Sequence, residues 1–284
     1  MRVLLLYFKY MTFELLILAM LGVIVGSFLN VLILRLNTGR SNSGRSGCMN
    51  CGIQLTWKEL IPLFSFAAQS GRCRLCGSAI SHQYWLVELS TAILFVLVGM
   101  QNLDLFETVT LLFIVSVLVI MAVYDFRHTI IPNKIVYIFL AVTFATQFPL
   151  LGTFGFSELV LNLFFVVASG VIVTSPLFVL WAISGGRWMG FGDVKLVIGF
   201  GFSLGAYYGL MAVLLGFMIG AVIGLLLLAI PKVIKYTPLR PFATRFTMSS
   251  EVPFAPFLIA GFFLVLFFNI DVFVLTELFY DSII

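Results

Sequence analysis

The sequence predicts an all-α polytopic membrane protein of about eight transmembrane helices, with one long polar loop between the first two. Three observations carry that expectation. Hydrophobic residues make up 62% of the chain and charged residues only 10%, for a mean hydropathy of +1.16, far from the balance of a soluble domain. Apolar runs recur along the chain, and roughly 18 such residues suffice to cross a bilayer as a helix. The charges fall mostly between those runs.

Taken in order, the runs lie at about 13–34, 83–100, 108–124, 135–151, 158–183, 194–207, 209–230 and 254–275. The first is full length and lacks a small-residue cleavage site behind it, so it reads as a retained helix and not a signal peptide. Pro132 is placed to open the fourth. The sixth is short and interrupted by Gly199, Gly201 and Gly205. The expected organisation is a first helix at 1–34, a loop at 35–82 and a seven-helix membrane domain at 83–284.

Lys and Arg accumulate in cytoplasmic loops. All 16 basic residues except Arg2 and Lys9 fall on one side if the loops after spans one, three, five and seven, with the adjoining helix ends, share that side. Asp104, Glu107, Glu158, Asp271, Glu277 and Asp281 fall on the other. The 35–82 loop is therefore expected in the cytoplasm and both termini outside. Topology and attraction to anionic membrane lipid account for the net charge of +4, so no nucleic-acid partner is expected. No repeat of solenoid length is visible.

All four cysteines lie in that loop, as Cys48-Met49-Asn50-Cys51 and Cys73-Arg74-Leu75-Cys76. Tandem CxxC pairs suit zinc, because each knuckle sets two sulfurs at adjacent corners of a tetrahedron. Gly47, Gly52, Gly71 and Gly77 flank the pairs and supply turns. The separation of the pairs slightly exceeds the usual window. A reducing compartment disfavours disulfides, no thioredoxin-like pattern supports a redox pair, and an unmetallated loop stays open. Four thiolates leave no coordination position for a substrate, so the zinc expected here is structural. His82 reads as an interfacial residue outside the ligand set.

Two aspartates stand at the cytoplasmic mouths of apolar helices: Asp125 in Tyr124-Asp125-Phe126-Arg127-His128, and Asp193 in Gly190-Phe191-Gly192-Asp193. Carboxylates are costly at membrane depth and mark functional sites. Both fall at the same depth in the expected topology, where a pair sharing one proton could activate water. Three readings stay open on residues alone: a catalytic dyad, helix caps or ion pairs (Asp193 on its own helix, Asp125 with Arg127 or Lys134), and an ion or proton pathway. Helix polarity suggests that Asp193, at an N-terminus, is the ionised base and Asp125, at a C-terminus, holds the proton. Lys195 is expected to snorkel to the headgroups, and Glu88 to pair with a loop arginine more than to serve a second activity.

The ordered motifs resemble the type IV prepilin leader peptidases, the prepilin peptidase/N-methyltransferases, nearly end to end. They run from Gly26-Ser27-Phe28-Leu29-Asn30-Val31 with Arg35-Leu36, through both CxxC pairs with Ile61-Pro62, Gly71-Arg72-Cys73-Arg74, Tyr84 and Val87-Glu88. The Asp125 segment with Ile131-Pro132 follows, then Gly190-Phe191-Gly192-Asp193-Val194-Lys195-Leu196, and last Pro253-Phe254-Ala255-Pro256-Phe257. The resemblance implies a GxGD-type intramembrane aspartyl endopeptidase of the bacterial cytoplasmic (inner) membrane, with Asp125 and Asp193 as the catalytic pair. It implies prepilin or pseudopilin substrates of type IV pili, type II secretion or DNA uptake, cut after a short basic leader behind glycine. It also implies N-methylation of the new terminus with S-adenosylmethionine, an activity associated with the cysteine loop. No glycine-rich cofactor motif is visible, so no cofactor-binding residue is assigned. The chain departs from the family pattern at Asn133, where an acid is frequent, and in the first knuckle, which lacks a proline after Cys48. The rivals are an ion- or proton-coupled transporter using the two aspartates and a membrane-anchored zinc module that only binds partners.

Overall fold

A computed structural model describes residues 2–38, 44–148, 155–234 and 252–270. Both chain termini, Arg40, Lys235, Arg240, Arg245, Asp271, Glu277, Asp281 and the far ends of the expected spans 135–151 and 254–275 lie outside the described residues. Within them the fold is all helical. The helices are α1 (Arg2–Arg35), α2 (Phe64–Ala68), α3 (Gln83–Gly99), α4 (Leu105–His128), α5 (Asn133–Ala145), α6 (Phe156–Ser184), α7 (Phe191–Ile234) and α8 (Ala255–Phe268), with a 3-10 turn at Trp57–Leu60. Two isolated bridges, Gly47 with Gln54 and Arg72 with Ala79, are the β-pairing described.

Four of these helices are long and apolar enough to cross a membrane: Thr12–Arg35, Leu105–His128, Ser157–Ser184 and Phe191–Leu227. That is fewer than the eight expected from hydropathy, for two physical reasons. First, three helices are short: α3 has 17 residues, α5 has 13 and α8 has 14, roughly 20–26 Å against a hydrocarbon thickness of about 30 Å. Second, α7 is not one rod. Gly205 has φ 76° and ψ 179°, a conformation essentially reserved for glycine. A Cβ on Gly209 would lie 3.4 Å from the Cα of Gly201, whereas those positions are about 12 Å apart in a straight helix. The chain therefore doubles back at Gly205, inside the expected sixth run and close to its end.

The chain divides into two compact units, Met1–Val123 and Tyr124–Ile284. In the first, α1 and α3 pack as an antiparallel pair. A Cβ on Gly22 would come within 2.6 Å of Ala92 Cα, and one on Gly26 within 2.8 Å of Glu88 Cα. Lipid offers no hydrophobic drive to join helices, and a small-xxx-small stripe compensates by letting the backbones touch. At the mouth of this pair the buried Asn30 donates to Tyr84 O at 3.1 Å and accepts from Gln83 Nε2 at 3.2 Å.

In the second unit, α7 packs on α5, α6 and α8. Gly201 lies on the Ser169–Gly170 backbone of α6, and Gly216 lies on Leu258 of α8. Phe139, Phe200 and Phe262, from α5, α7 and α8, are fully buried and meet ring to ring, with centroids 4.6 Å apart for the closest pair. Phe139 rests on Gly199, where a Cβ would collide with its ring. This lock fixes the helices whose first turns carry the polar residues described next.

Candidate active site and metal centre

Asp125 lies one turn before the end of α4, and Asp193 in the first turn of α7; both belong to the second unit. Each is buried, at 4% and 7% exposure. Two contacts draw their segments together. A Cβ on Gly192 would meet Ile131 Cβ at 3.1 Å, so the two segments are tightly packed there. Lys195 Nζ donates to Asn133 Oδ1 at 2.8 Å and stands 5.0 Å and 5.8 Å from the ring centres of Phe191 and Tyr137. The chain after Asp125 thus runs against the chain around Asp193.

A third element completes the site. The main-chain N–H of Ala255, at the start of α8, donates to Asp125 Oδ2 at 3.2 Å in a buried setting. The Asp193 carboxylate meets the Gly190 main chain just ahead of α7. Each acid therefore faces the N-terminal end of a helix, α8 for Asp125 and α7 for Asp193. The helix-polarity argument that would separate base from acid does not hold, because α4 continues to His128 and α8 supplies Asp125 with its own donor.

Two side chains have other partners than expected. Lys195 is engaged by Asn133 and two rings instead of snorkelling freely, since Asn133 offers a neutral oxygen within reach. Glu88, buried in α3, accepts the Leu63 main-chain N–H at 2.7 Å instead of pairing with an arginine. The role of Ala255 was not visible in the sequence, because a main-chain donor has no side-chain signature; the flanking Pro253 and Pro256 were its one trace.

The four cysteines form a single cluster in the first unit. The Sγ atoms of Cys48, Cys51, Cys73 and Cys76 all lie within 4.8 Å of one another, and none is in a disulfide. Cys48 and Cys76 are 3.8 Å apart, matching the edge of about 3.8 Å that a tetrahedron with Zn–S bonds of about 2.3 Å requires. The knuckles are built alike. Cys48 N–H donates to Ile53 O and Gly52 N–H to Cys48 O; Cys73 N–H donates to Ser78 O and Gly77 N–H to Cys73 O. Gly52 and Gly77 have φ 72° and 68°, which the turns demand. The Ser78 hydroxyl and N–H pull Cys76 down to about 6. Cys51 is drawn down by Ile53 N–H, but desolvation and the neighbouring thiols together push it up to about 11. The donor set fits a closed, structural zinc. His82 is not in the cluster; it accepts the Trp85 Nε1–H at 3.2 Å and packs on Phe66.

Known proteins resemble the chain along most of its length. The Bacterial Peptidase A24 N-terminal domain matches residues 20–102, and the Type IV leader peptidase family matches residues 112–225. A prepilin leader peptidase/N-methyltransferase of Bacillus subtilis is 34% identical over 86% of this chain and 90% of its own length. One from Myxococcus xanthus is 38% identical over 73% of this chain, although the match spans only 61% of that relative. One from Pseudomonas aeruginosa is 28% identical over 85% of this chain and 86% of its own. No solved structure matches the chain.

Proposed function

The chain belongs to the type IV leader peptidase family, and from that premise we propose that it is an aspartyl endopeptidase of the bacterial inner membrane with Asp125 and Asp193 as its catalytic pair. The observation that carries the proposal is the burial of these two acids in one unit, on segments that the Gly192–Ile131 and Lys195–Asn133 contacts bring together.

The pair holds one proton and titrates as a unit. The ionised carboxylate takes a proton from a water while the protonated one gives its proton to the scissile carbonyl oxygen, yielding a tetrahedral diol. Collapse of the diol breaks the C–N bond, the amine leaves with a proton, and the acids return to their starting state. Ala255 N–H holds Asp125 in place through these transfers. The short α5 and α8 leave the site's helices below full bilayer thickness, which suits water entry from one side. Gly190 and Gly192 allow a locally unwound substrate chain to approach.

The substrates proposed are prepilins, which the names of the relatives state for those proteins, or the pseudopilins that the sequence resemblance implies. Their basic leader would enter from the cytoplasmic side, on which the excess of Lys and Arg supports putting the site, with both termini outside and about eight crossings in all. N-methylation of the product amine with S-adenosylmethionine is proposed from the same names, and loop 35–82 is proposed to fold around zinc. A transporter would place its acids near the bilayer midplane, whereas Asp125 and Asp193 lie within a turn of helix ends.

The test is co-expression with a candidate prepilin, comparing wild type with Asp125→Ala and Asp193→Ala by the mass of the pilin N-terminus. Loss of cleavage in both variants, with zinc content unchanged, is expected. Cleavage that survives in either variant refutes the dyad, and an added methylene on the wild-type product reports methylation.

A further inference from the structure

Four large apolar side chains stand exposed in one short stretch of the first unit: Trp57 at 70%, Leu60 at 43%, Ile61 at 38% and Phe64 at 67%. Their spacing is that of an amphipathic helix face, yet the backbone breaks at Leu63, which has φ 59°. A loop between two helices has no folding reason to display this much apolar surface.

The depth of the segment explains it. Glu88 lies five residues inside α3, about 7.5 Å beyond the start of that helix, and its carboxylate binds Leu63 N–H at 2.7 Å. The segment therefore reaches down alongside α3, below the level of Gln83, instead of standing clear in solution. Its charge fits the same place. Residues 35–82 hold Arg35, Arg40, Arg45, Lys58, Arg72 and Arg74 against the single acid Glu59, and Lys58 Nζ lies 5.5 Å from the Trp57 ring centre.

We propose that Trp57–Phe64 is an interfacial anchor. Its Trp57, Leu60, Ile61 and Phe64 side chains lie in the headgroup and upper acyl layer of an anionic phospholipid membrane, and the surrounding Lys and Arg residues meet the phosphates. Glu88 holds the anchor at that depth, and the cysteine cluster is thereby kept flat on the membrane. The proposal rests on α1 and α3 crossing the bilayer.

The test uses the full-length protein in phosphatidylglycerol-containing liposomes, comparing the tryptophan emission of wild type and Trp57→Phe. The component lost in the variant is expected to be quenched by lipids brominated near the glycerol end of the chain and to be shielded from iodide. Quenching by iodide, or by neither agent, overturns the anchor; the second outcome means that protein covers the segment. Introducing Phe64→Trp into the Trp57→Phe background provides an independent second reporter with the same expected pattern. If bromolipid also fails to quench Trp181 in α6, the membrane reading itself has failed, and not the anchor alone.

Discussion

Ala255 and Asp125 lie 130 positions apart in sequence, yet the main-chain N–H of one donates to the carboxylate of the other at 3.2 Å. The bond joins the start of α8 to the end of α4 and gives the segment around Pro253 and Pro256 a chemical task. Hydrogen bonds to charged groups contribute about 1.5–3 kcal/mol. Replacing the Ala255 amide with an ester removes the donor and keeps the shape, and is expected to lower kcat about 10- to 100-fold with KM little changed. Proline at 255 is a poorer probe, because Phe254 is in the helical region (φ −97°, ψ −30°) that a following proline disfavours. A rate unchanged by the ester would show that the bond is structural only.

The two acids are expected to fail as a unit. Asp125→Asn and Asp193→Asn should each reduce cleavage by at least about 1,000-fold, and the double variant should be no worse than either alone, since groups acting together are non-additive. Single-turnover cleavage of a reconstituted prepilin measures this. Additive losses would mean that the two side chains act in separate steps.

The two glycines of Gly190-Phe191-Gly192-Asp193 should respond differently. A Cβ on Gly192 would press on the buried Ile131 at 3.1 Å, while one on Gly190 has its nearest neighbour, Asp193 Oδ2, at an ordinary 3.7 Å. Gly192→Ala is expected to cost about 1–3 kcal/mol of stability, and Gly190→Ala less than about 0.5 kcal/mol. Thermal unfolding in detergent distinguishes them, and equal losses would contradict the packing of Gly192 on Ile131.

Sequence was informative where side-chain chemistry and spacing coincide. Cys48, Cys51, Cys73 and Cys76 carry their geometry in their spacing, and the structure gathers their sulfurs as expected. Asp125 and Asp193 stand out because acids are rare in apolar surroundings. Partners were less legible. Glu88 was expected to seek a basic side chain and is satisfied by the Leu63 main chain, because a carboxylate accepts any N–H of suitable geometry. Lys195 donates to the neutral Asn133 Oδ1, because an ammonium is likewise satisfied by any oxygen acceptor within reach. Helix ends are less legible than helix existence, as at Ala145, where α5 stops although the apolar run begun at 135 goes on, because hydropathy reports side chains and not where the backbone ladder ends. The reversal at Gly205 fell near the expected break because glycine was its visible signal.

The Lys195–Asn133 contact predicts that an acid would be accepted at position 133. Asn133→Asp replaces a neutral acceptor 2.8 Å from the ammonium with a charged one, and should raise stability modestly, by roughly 0.5–1 kcal/mol at this partly exposed position. Combined with Lys195→Met, the same change should lose that gain, because an unpaired carboxylate is left at the membrane edge. A double-mutant cycle on thermal stability measures the coupling, and a coupling near zero would show that the contact contributes nothing.

Zinc binding should release protons in a pH-dependent way. Coordinating thiols are deprotonated outright. Without metal at pH 7, Cys51, pushed up to about 11, keeps its proton, while Cys76, pulled down to about 6, is already mostly ionised. Fewer than four protons should therefore leave per zinc at pH 7, with Cys51 among the donors, and the number should fall as pH rises. Below about pH 6 Cys76 is protonated as well, so one more proton must be displaced and affinity should drop. Calorimetry in buffers of different ionisation enthalpy counts the protons, and a count that does not change with pH would contradict the unequal thiols. Cys73→Ser should be the most disruptive of the single replacements, because Cys73 is the buried member of the cluster and an unmatched hydroxyl there has no water to turn to.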